Sequence, residues 1–177
     1  TNDAHLITEG LRGDGAILVN QEGLRFTDEV GTRDAVSKAE IEQTNSQVYL
    51  VLDNKMVEKS AVIQGYIKSG YTVTGEDAKS LAKAMGVPED AFEKTLTDWN
   101  ESVAKKEDTA FGRTSFADPL DTAPFYAIKV TPGVHHTMGG LRINEVTEVL
   151  DKNGNAIPGL FAAGEVTGGV HGANRLG

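Results

Sequence analysis

Phe92, Leu96, Trp99 and Val103 recur at steps of four, three and four, while Glu93, Lys94, Asp98 and Glu101 fall between them. At 3.6 residues per turn the first set lines one face of a helix and the second faces water. The stripe is therefore read as core rather than as a surface for a cofactor. Pro88 sits where this helix has its first turn, and upstream TGEDAKSLAKAMG (74 to 86) offers a cap, early acidic residues and a terminal glycine. Two consecutive helices are predicted.

The surrounding segments read as strands and turns. AILVNQEGLRF (16 to 26) is an apolar run, a polar turn and a second short run, which predicts a β-hairpin. SKAEIEQT (37 to 44) predicts a helix after a Ser37 cap, and VYLVLDN (48 to 54) has a buried-strand pattern, so a β-α-β rhythm is expected from there. Residues 105 to 124 form a polar, proline-containing connection before the strand FYAIKV (125 to 130). A further hairpin is expected around Asn153-Gly154, followed by the apolar GLFAAG and a glycine-rich turn. No internal repeat or low-complexity tract interrupts this order.

A chain of 177 residues can bury one good core. Its last residues, GGVHGANRLG, stop on glycine just after a dense run of small and polar residues, which suggests an excised fragment. No apolar run approaches the roughly 20 residues of a membrane helix. The first residues lack a basic segment followed by an apolar one, although removal of a signal peptide leaves periplasmic or cell-envelope and cytoplasmic locations both open. A formal charge of −9 with scattered basic residues repels polyanions, so nucleic acid is not an expected partner. The absence of cysteine removes disulfides, thiolate metal sites and CxxCH haem attachment. Redox chemistry here needs a cofactor held by other groups.

Polar groups gather among glycines at ITEGLRGDG (7 to 15), GTRD (31 to 34), GVHHTMGG (133 to 140) and GEVTGGVHGANRLG (164 to 177). Glycine lets a backbone approach a ligand closely, and ordinary surface turns are the plainer reading of each alone. The pair His135-His136 admits three readings. Zinc would want further ligands at suitable spacing, which His5 and His171 do not offer. Hydrogen bonds to loop carbonyls are a second reading, and ligand recognition a third. Neighbours in an extended segment point to opposite sides, so the two imidazoles can serve different partners, such as a substrate and a cofactor. Arg33 and Arg175 sit in short motifs rather than on charged helix faces. A guanidinium grips a carboxylate through two parallel hydrogen bonds, so two arginines with a histidine and Thr8 suit a small dicarboxylate, with surface ion pairs as the alternative.

The order and spacing of TEGLRGDGAILVNQEGLRF, GTRD, TPGVHHTMGG and IPGLFAAGEVTGGVHGANRLG resemble the soluble flavoprotein fumarate reductases of flavocytochrome c type, within the succinate dehydrogenase flavoprotein superfamily. The resemblance runs from end to end, loosely between about 45 and 120. It implies an α+β fold: a clamp, or capping, domain over 1–134, then β-meander strands over 135–177 from an incomplete FAD-binding domain. The GxGxxG phosphate loop is not in this sequence, so FAD would be held weakly, if at all, by this chain alone.

Position by position, the resemblance makes Arg33 the proton donor, with Glu9 and Arg12 on a proton-delivery route to it. It makes Thr8, Glu9, His135 and Arg175 the substrate-binding set, and His136 and Glu165 residues lining the flavin. Another family histidine would precede residue 1, so His5 is not its counterpart, and Leu6 stands where the family can carry methionine. Implied chemistry is reduction of fumarate to succinate by hydride from FAD, with clamp closure excluding water. Reductases of urocanate or an acrylate are the runner-up, and a non-catalytic module the reading from another class. The electron donor is open: haem c or FMN elsewhere in the parent protein, or an NADH-oxidising domain, would leave no mark here.

Overall fold

The computed structural model describes residues 5–134, 137 and 139–169. They belong to two compact units, 1–132 and 133–177. The first is a mixed unit whose four-stranded sheet has the order β1-β2-β4-β3, formed by Ile17–Val19, Val48–Asp53, Phe125–Val130 and Thr72–Gly75 respectively. Every pairing is antiparallel, with Leu50 facing Leu18 on one side and Ile128 on the other. The strands of ILV and VYLVLD are buried on both faces apart from Tyr49, which is half-buried, and this is why their apolar runs are continuous rather than alternating.

Among its described residues the unit also has six α-helices: α1 (Gly10–Gly13), α2 (Arg33–Ile41), α3 (Asn54–Lys59), α4 (Ala61–Lys68), α5 (Ala78–Met85) and α6 (Glu89–Lys105). The predicted helix pair is α5 and α6. Asp77, rather than Thr74, caps α5 through a capping box with Ser80, and Gly86 ends it in the left-handed region at φ 75°. Phe92, Leu96, Trp99 and Val103 are all buried, as their spacing requires. The polar connection after α6 is tied down at Leu120, whose carbonyl and amide both bond the Asn100 side chain at 2.8 Å. Buried Asp53 caps α3 at Met56 and accepts the amides of Asp121 and Thr122.

Three sequence expectations are corrected. The hairpin over 16–26 shrinks to a single bridge between Val19 and Arg25, and β1 takes β2 as its partner. The Asn20 side chain draws in the amides of Glu22 and Leu24, which closes a tight loop, and Arg25 is pulled inward by Glu29 and Asp108. The helix expected from Ser37 begins at Arg33, with Thr32 at its cap position. The β-α-β rhythm after β2 is not a parallel crossover: α3 and α4 lead into β3, which pairs with β4 at the edge. Helices α3 and α4 and the strand β3 were not anticipated.

The second unit is a β-hairpin, β5 (Glu148–Leu150) and β6 (Ala156–Phe161), joined through Gly154 at φ 88°, as the Asn153-Gly154 signal predicts. All six residues of β6 are exposed. Among the described residues, no helix is long and apolar enough to cross a membrane.

Candidate functional site

In the first unit the glycine-flanked motifs TEGLRGDG and GTRD meet. Glu9 immediately precedes α1, and Arg33 is the first residue of α2. Arg33 Nε donates to Glu9 Oε1 at 2.8 Å, and Arg33 Nη2 stands 2.7 Å from the same oxygen. A cation at the positive end of a helix dipole is disfavoured, and the Glu9 carboxylate offsets that cost. The carboxyl of Glu9 is held below 4.5 by its own backbone N–H and then by Arg33, with a weaker contribution from Arg12. Glu9 is thus ionised at neutral pH and keeps both arginines' charge company.

Arg12, on α1, is half-buried. Burial lowers the pKa of its guanidinium, against the carboxylates of Glu40 and Glu9, which pull the other way. Thr8 receives a hydrogen bond from Gly10 N through its hydroxyl at 3.3 Å, while its own amide donates to the Tyr66 hydroxyl at 3.2 Å. Tyr66 Oη in turn donates to the Leu6 carbonyl at 3.2 Å. Tyr66 therefore anchors the segment that carries Thr8, a role that nothing in its sequence surroundings announces. Of these residues Glu9 and Arg33 are in direct contact, and Thr8 and Arg12 flank Glu9 on the same segment.

Behind α1 lies a buried ionic cluster that sequence reading missed. Arg25 pairs with Glu29 through two bonds of 2.8 Å and with Asp108 at 2.9 Å. Arg113 meets Glu29 at 3.1 Å, donates to the Arg12 carbonyl at 2.7 Å, and also bonds the carbonyls of Ala16 and Ser115. The guanidinium carbons of Arg25 and Arg113 stand 4.5 and 4.6 Å from the Trp99 ring centroid. Arg113 and Glu29 side chains are fully buried. Through the Arg12 carbonyl this cluster fixes the position of α1, and so of the groups that α1 presents. A cluster of acids and bases spread over 25–113 gives no local signal in the sequence.

His135, His136 and Arg175 lie outside the described residues. Glu165, in the second unit, is exposed and its Oε1 accepts the Thr137 amide at 3.3 Å. Two glycine segments run side by side there: Leu141 N donates to Val166 O at 2.8 Å and Gly168 N to Leu141 O at 3.0 Å. A Cβ at Gly140 would press on Val166 O and lie 2.7 Å from Gly168 N, and one at Gly168 would lie 2.6 Å from Gly140 N. Only glycine permits this approach, and it leaves a ledge of bare peptide groups, partly exposed, beside an acidic side chain. Among the described residues, no group of three or more histidine, aspartate or glutamate side chains is arranged to hold a metal ion.

A family model described as an FAD binding domain matches residues 1–177. The chain is 45% identical over 172 residues to a probable fumarate reductase of Shewanella frigidimarina, covering 97% of this chain and 29% of that protein. It is 45% identical over 175 residues to the NADH:fumarate oxidoreductase of Klebsiella pneumoniae, covering 98% of this chain and 19% of the relative. An NADH:acrylate oxidoreductase of Vibrio harveyi is more distant, at 39% over 166 residues, 91% of this chain and 16% of the relative. Among solved structures, the open conformation of a flavocytochrome c3 fumarate reductase superposes with a TM-score of 0.79 at 45% identity, over 96% of this chain and 30% of that one. The chain thus spans less than a third of the length of these relatives.

Proposed function

The chain belongs to the FAD-binding domain family, and we propose that it serves an FAD-dependent reduction of fumarate to succinate, with 1–134 as the capping domain and 135–177 as strands of the flavin domain. The observation that carries this reading is the Arg33–Glu9 contact at 2.7 Å beside Arg12 and Thr8. An acid that must deliver a proton at each turnover needs a neighbour able to return it, and one Glu9 oxygen is in bonding contact with two nitrogens of the Arg33 guanidinium. Greater identity to the two fumarate enzymes than to the acrylate enzyme favours the dicarboxylate.

Reduced FAD, when bound, supplies a hydride to one alkene carbon. Thr8, His135 and Arg175 bind the substrate carboxylates, drawing electron density from the double bond so that charge developing at the second carbon is stabilised. Arg33 donates a proton to that second carbon. Glu9, a carboxylate at rest, accepts a proton by way of Arg12 as it passes one to Arg33 across their hydrogen bond. His136 and Glu165 line the flavin, with the glycine ledge of 139–140 and 168–169 admitting it closely. Haem c, FMN or NADH chemistry elsewhere in the protein would supply the electrons.

The test is fumarate reduction by the full-length, FAD-loaded protein with a reduced viologen, beside the same protein carrying Arg33→Ala. Turnover that falls by about a hundredfold or more in a variant retaining its flavin is expected. A flavin-loaded protein that ignores fumarate but reduces acrylate or urocanate would move the substrate to that class.

A further inference from the structure

Residues 5–9 have no regular secondary structure before α1 begins at Gly10, yet they carry Thr8 and Glu9. A segment of that kind loses backbone entropy when it is kept in one place, so something else must hold it. Among the described residues, the hydrogen bonds that tie 5–8 to a distant part of the chain both go to one atom, Tyr66 Oη. The Thr8 amide donates to it at 3.2 Å, and its own O–H donates to the Leu6 carbonyl at 3.2 Å. An amide is only a donor here and a carbonyl only an acceptor, so the bridge needs a group that is both. A hydroxyl is both, and a phenyl ring is neither.

Tyr66 is itself well fixed. It lies in the last turn of α4, which the Ser60 side chain caps by accepting the Ile63 amide. Its ring packs on the hydrophobic core, and its carbonyl accepts the Tyr71 amide at 3.1 Å. The Tyr71 ring stands 6.4 Å from that of Tyr66 and 4.8 Å from that of His5, so aromatic contacts reach the same segment. Helix α4 thus acts as a bracket for residues 58 positions earlier.

One group of Thr8 is left over. Its amide goes to Tyr66, its carbonyl accepts the Leu11 amide at 3.5 Å, and its Oγ1 accepts the Gly10 amide at 3.3 Å. The hydroxyl proton has no acceptor among the described residues, and Thr8 is half-buried. A fixed O–H with no protein acceptor suits a carboxylate oxygen. Glu9 next to it takes its position from Arg33, through contacts at 2.8 and 2.7 Å, and is less dependent on the bracket.

We propose that Tyr66 is a positioning residue for substrate binding: by bridging Leu6 O and Thr8 N it aims the Thr8 hydroxyl at a substrate carboxylate. This rests on the reading of Thr8 as a carboxylate ligand in fumarate reduction. Much of that bond is already made in the bound substrate, so loss of the bridge is read in affinity more than in turnover.

The experiment compares fumarate reduction by the full-length, FAD-loaded protein with its Tyr66→Phe, Thr8→Val and doubly substituted variants. Tyr66→Phe should raise KM about fivefold with kcat within about twofold, and should weaken succinate binding, read from flavin absorbance, by a similar factor. Thr8→Val should raise KM at least as far. Adding Tyr66→Phe to it should then change KM by less than about twofold, because no hydroxyl remains to be aimed. In the 177-residue chain the Thr8 amide should be protected from hydrogen exchange, and Tyr66→Phe should speed its exchange about tenfold while the melting temperature moves by only a few degrees. An unprotected Thr8 amide in the wild-type chain overturns the proposal without any variant. So does an unchanged KM in folded Tyr66→Phe, or a rise in KM that persists in full beside Thr8→Val; either leaves the fumarate reading intact. Wild-type kinetics in Thr8→Val remove Thr8 from the site and the proposal with it, while fumarate reduction stands. A wild-type protein that is loaded with FAD yet reduces no fumarate overturns both readings.

Discussion

Arg113 does more for this molecule than its place in a polar connection suggests. Its side chain is fully buried and reaches Glu29, Ala16 O, Arg12 O and Ser115 O, so one guanidinium joins the start of β1, α1 and the segment after α6. Removing one partner of a buried pair leaves the other charge uncompensated, at a cost of about 3–5 kcal/mol. Arg113→Met should lower the stability of the chain by an amount in that range in a urea titration followed by circular dichroism, and Arg113→Lys should recover little of it, since an ammonium cannot span four acceptors. A variant with both Glu29→Gln and Arg113→Met should be less damaged than the sum of the two single changes, because neither charge is then left alone. Residue by residue, the sequence made Thr8, Glu9, Arg12 and Arg33 legible through their glycine-flanked motifs. It left Glu29 and Arg113 looking like ordinary surface charges, because burial of a charge is decided by partners far along the chain.

At the scale of elements, the joint between β3 and α5 is the tightest. A Cβ on Gly75 would overlap Leu81 N and lie 2.6 Å from Leu81 Cα, both of them backbone atoms that cannot swing aside. Gly75→Ala should therefore destabilise the first unit by about 1–3 kcal/mol or more, and hydrogen exchange should show protection lost first in β3 and the start of α5. Gly86→Ala, at φ 75° in open space, should show a smaller loss that comes from the backbone alone. Helices α5 and α6 were legible because caps, an early proline and an apolar stripe all act within a few residues. The start of α2 was not: Arg33 as its first residue is supported by Glu9, 24 positions away, and Thr32 makes no side-chain cap to signal it. The shortened hairpin has the same origin, since Arg25 answers to Asp108, 83 positions away, more than to the strand preceding it.

At the scale of the whole chain, the packed core belongs to one unit. The buried hydrophobic cluster runs from Leu11 to Ile128, all within 1–132, whereas among the described residues of the second unit Val149 is the buried hydrophobic side chain. Burial of apolar area is what offsets chain entropy, so the first unit has the means to fold alone and the second does not. A chain ending at Pro132 should keep a dispersed amide spectrum and melt within a few degrees of the 177-residue chain. Residues 133–177 in isolation should give neither dispersion nor a cooperative melt. Loss of the melt in the shorter chain would show that the core of the first unit depends on the second.

Periodicity, caps and turn chemistry are short-range, and from them the amino-acid order alone yielded the helix pair, the strands over 48–54 and 125–130, the second hairpin and the motifs that place the chain in its family. Strand order, the antiparallel partner of β1 and the inward turn of Arg25 came only with the fold, because each depends on which segments meet. The same holds for the site. Its four motif residues were evident from sequence, but the contact between Glu9 and Arg33 and the cluster that fixes α1 are products of tertiary packing. Electrostatic effects of this kind act through distance and desolvation, and neither quantity exists until the chain has closed on itself.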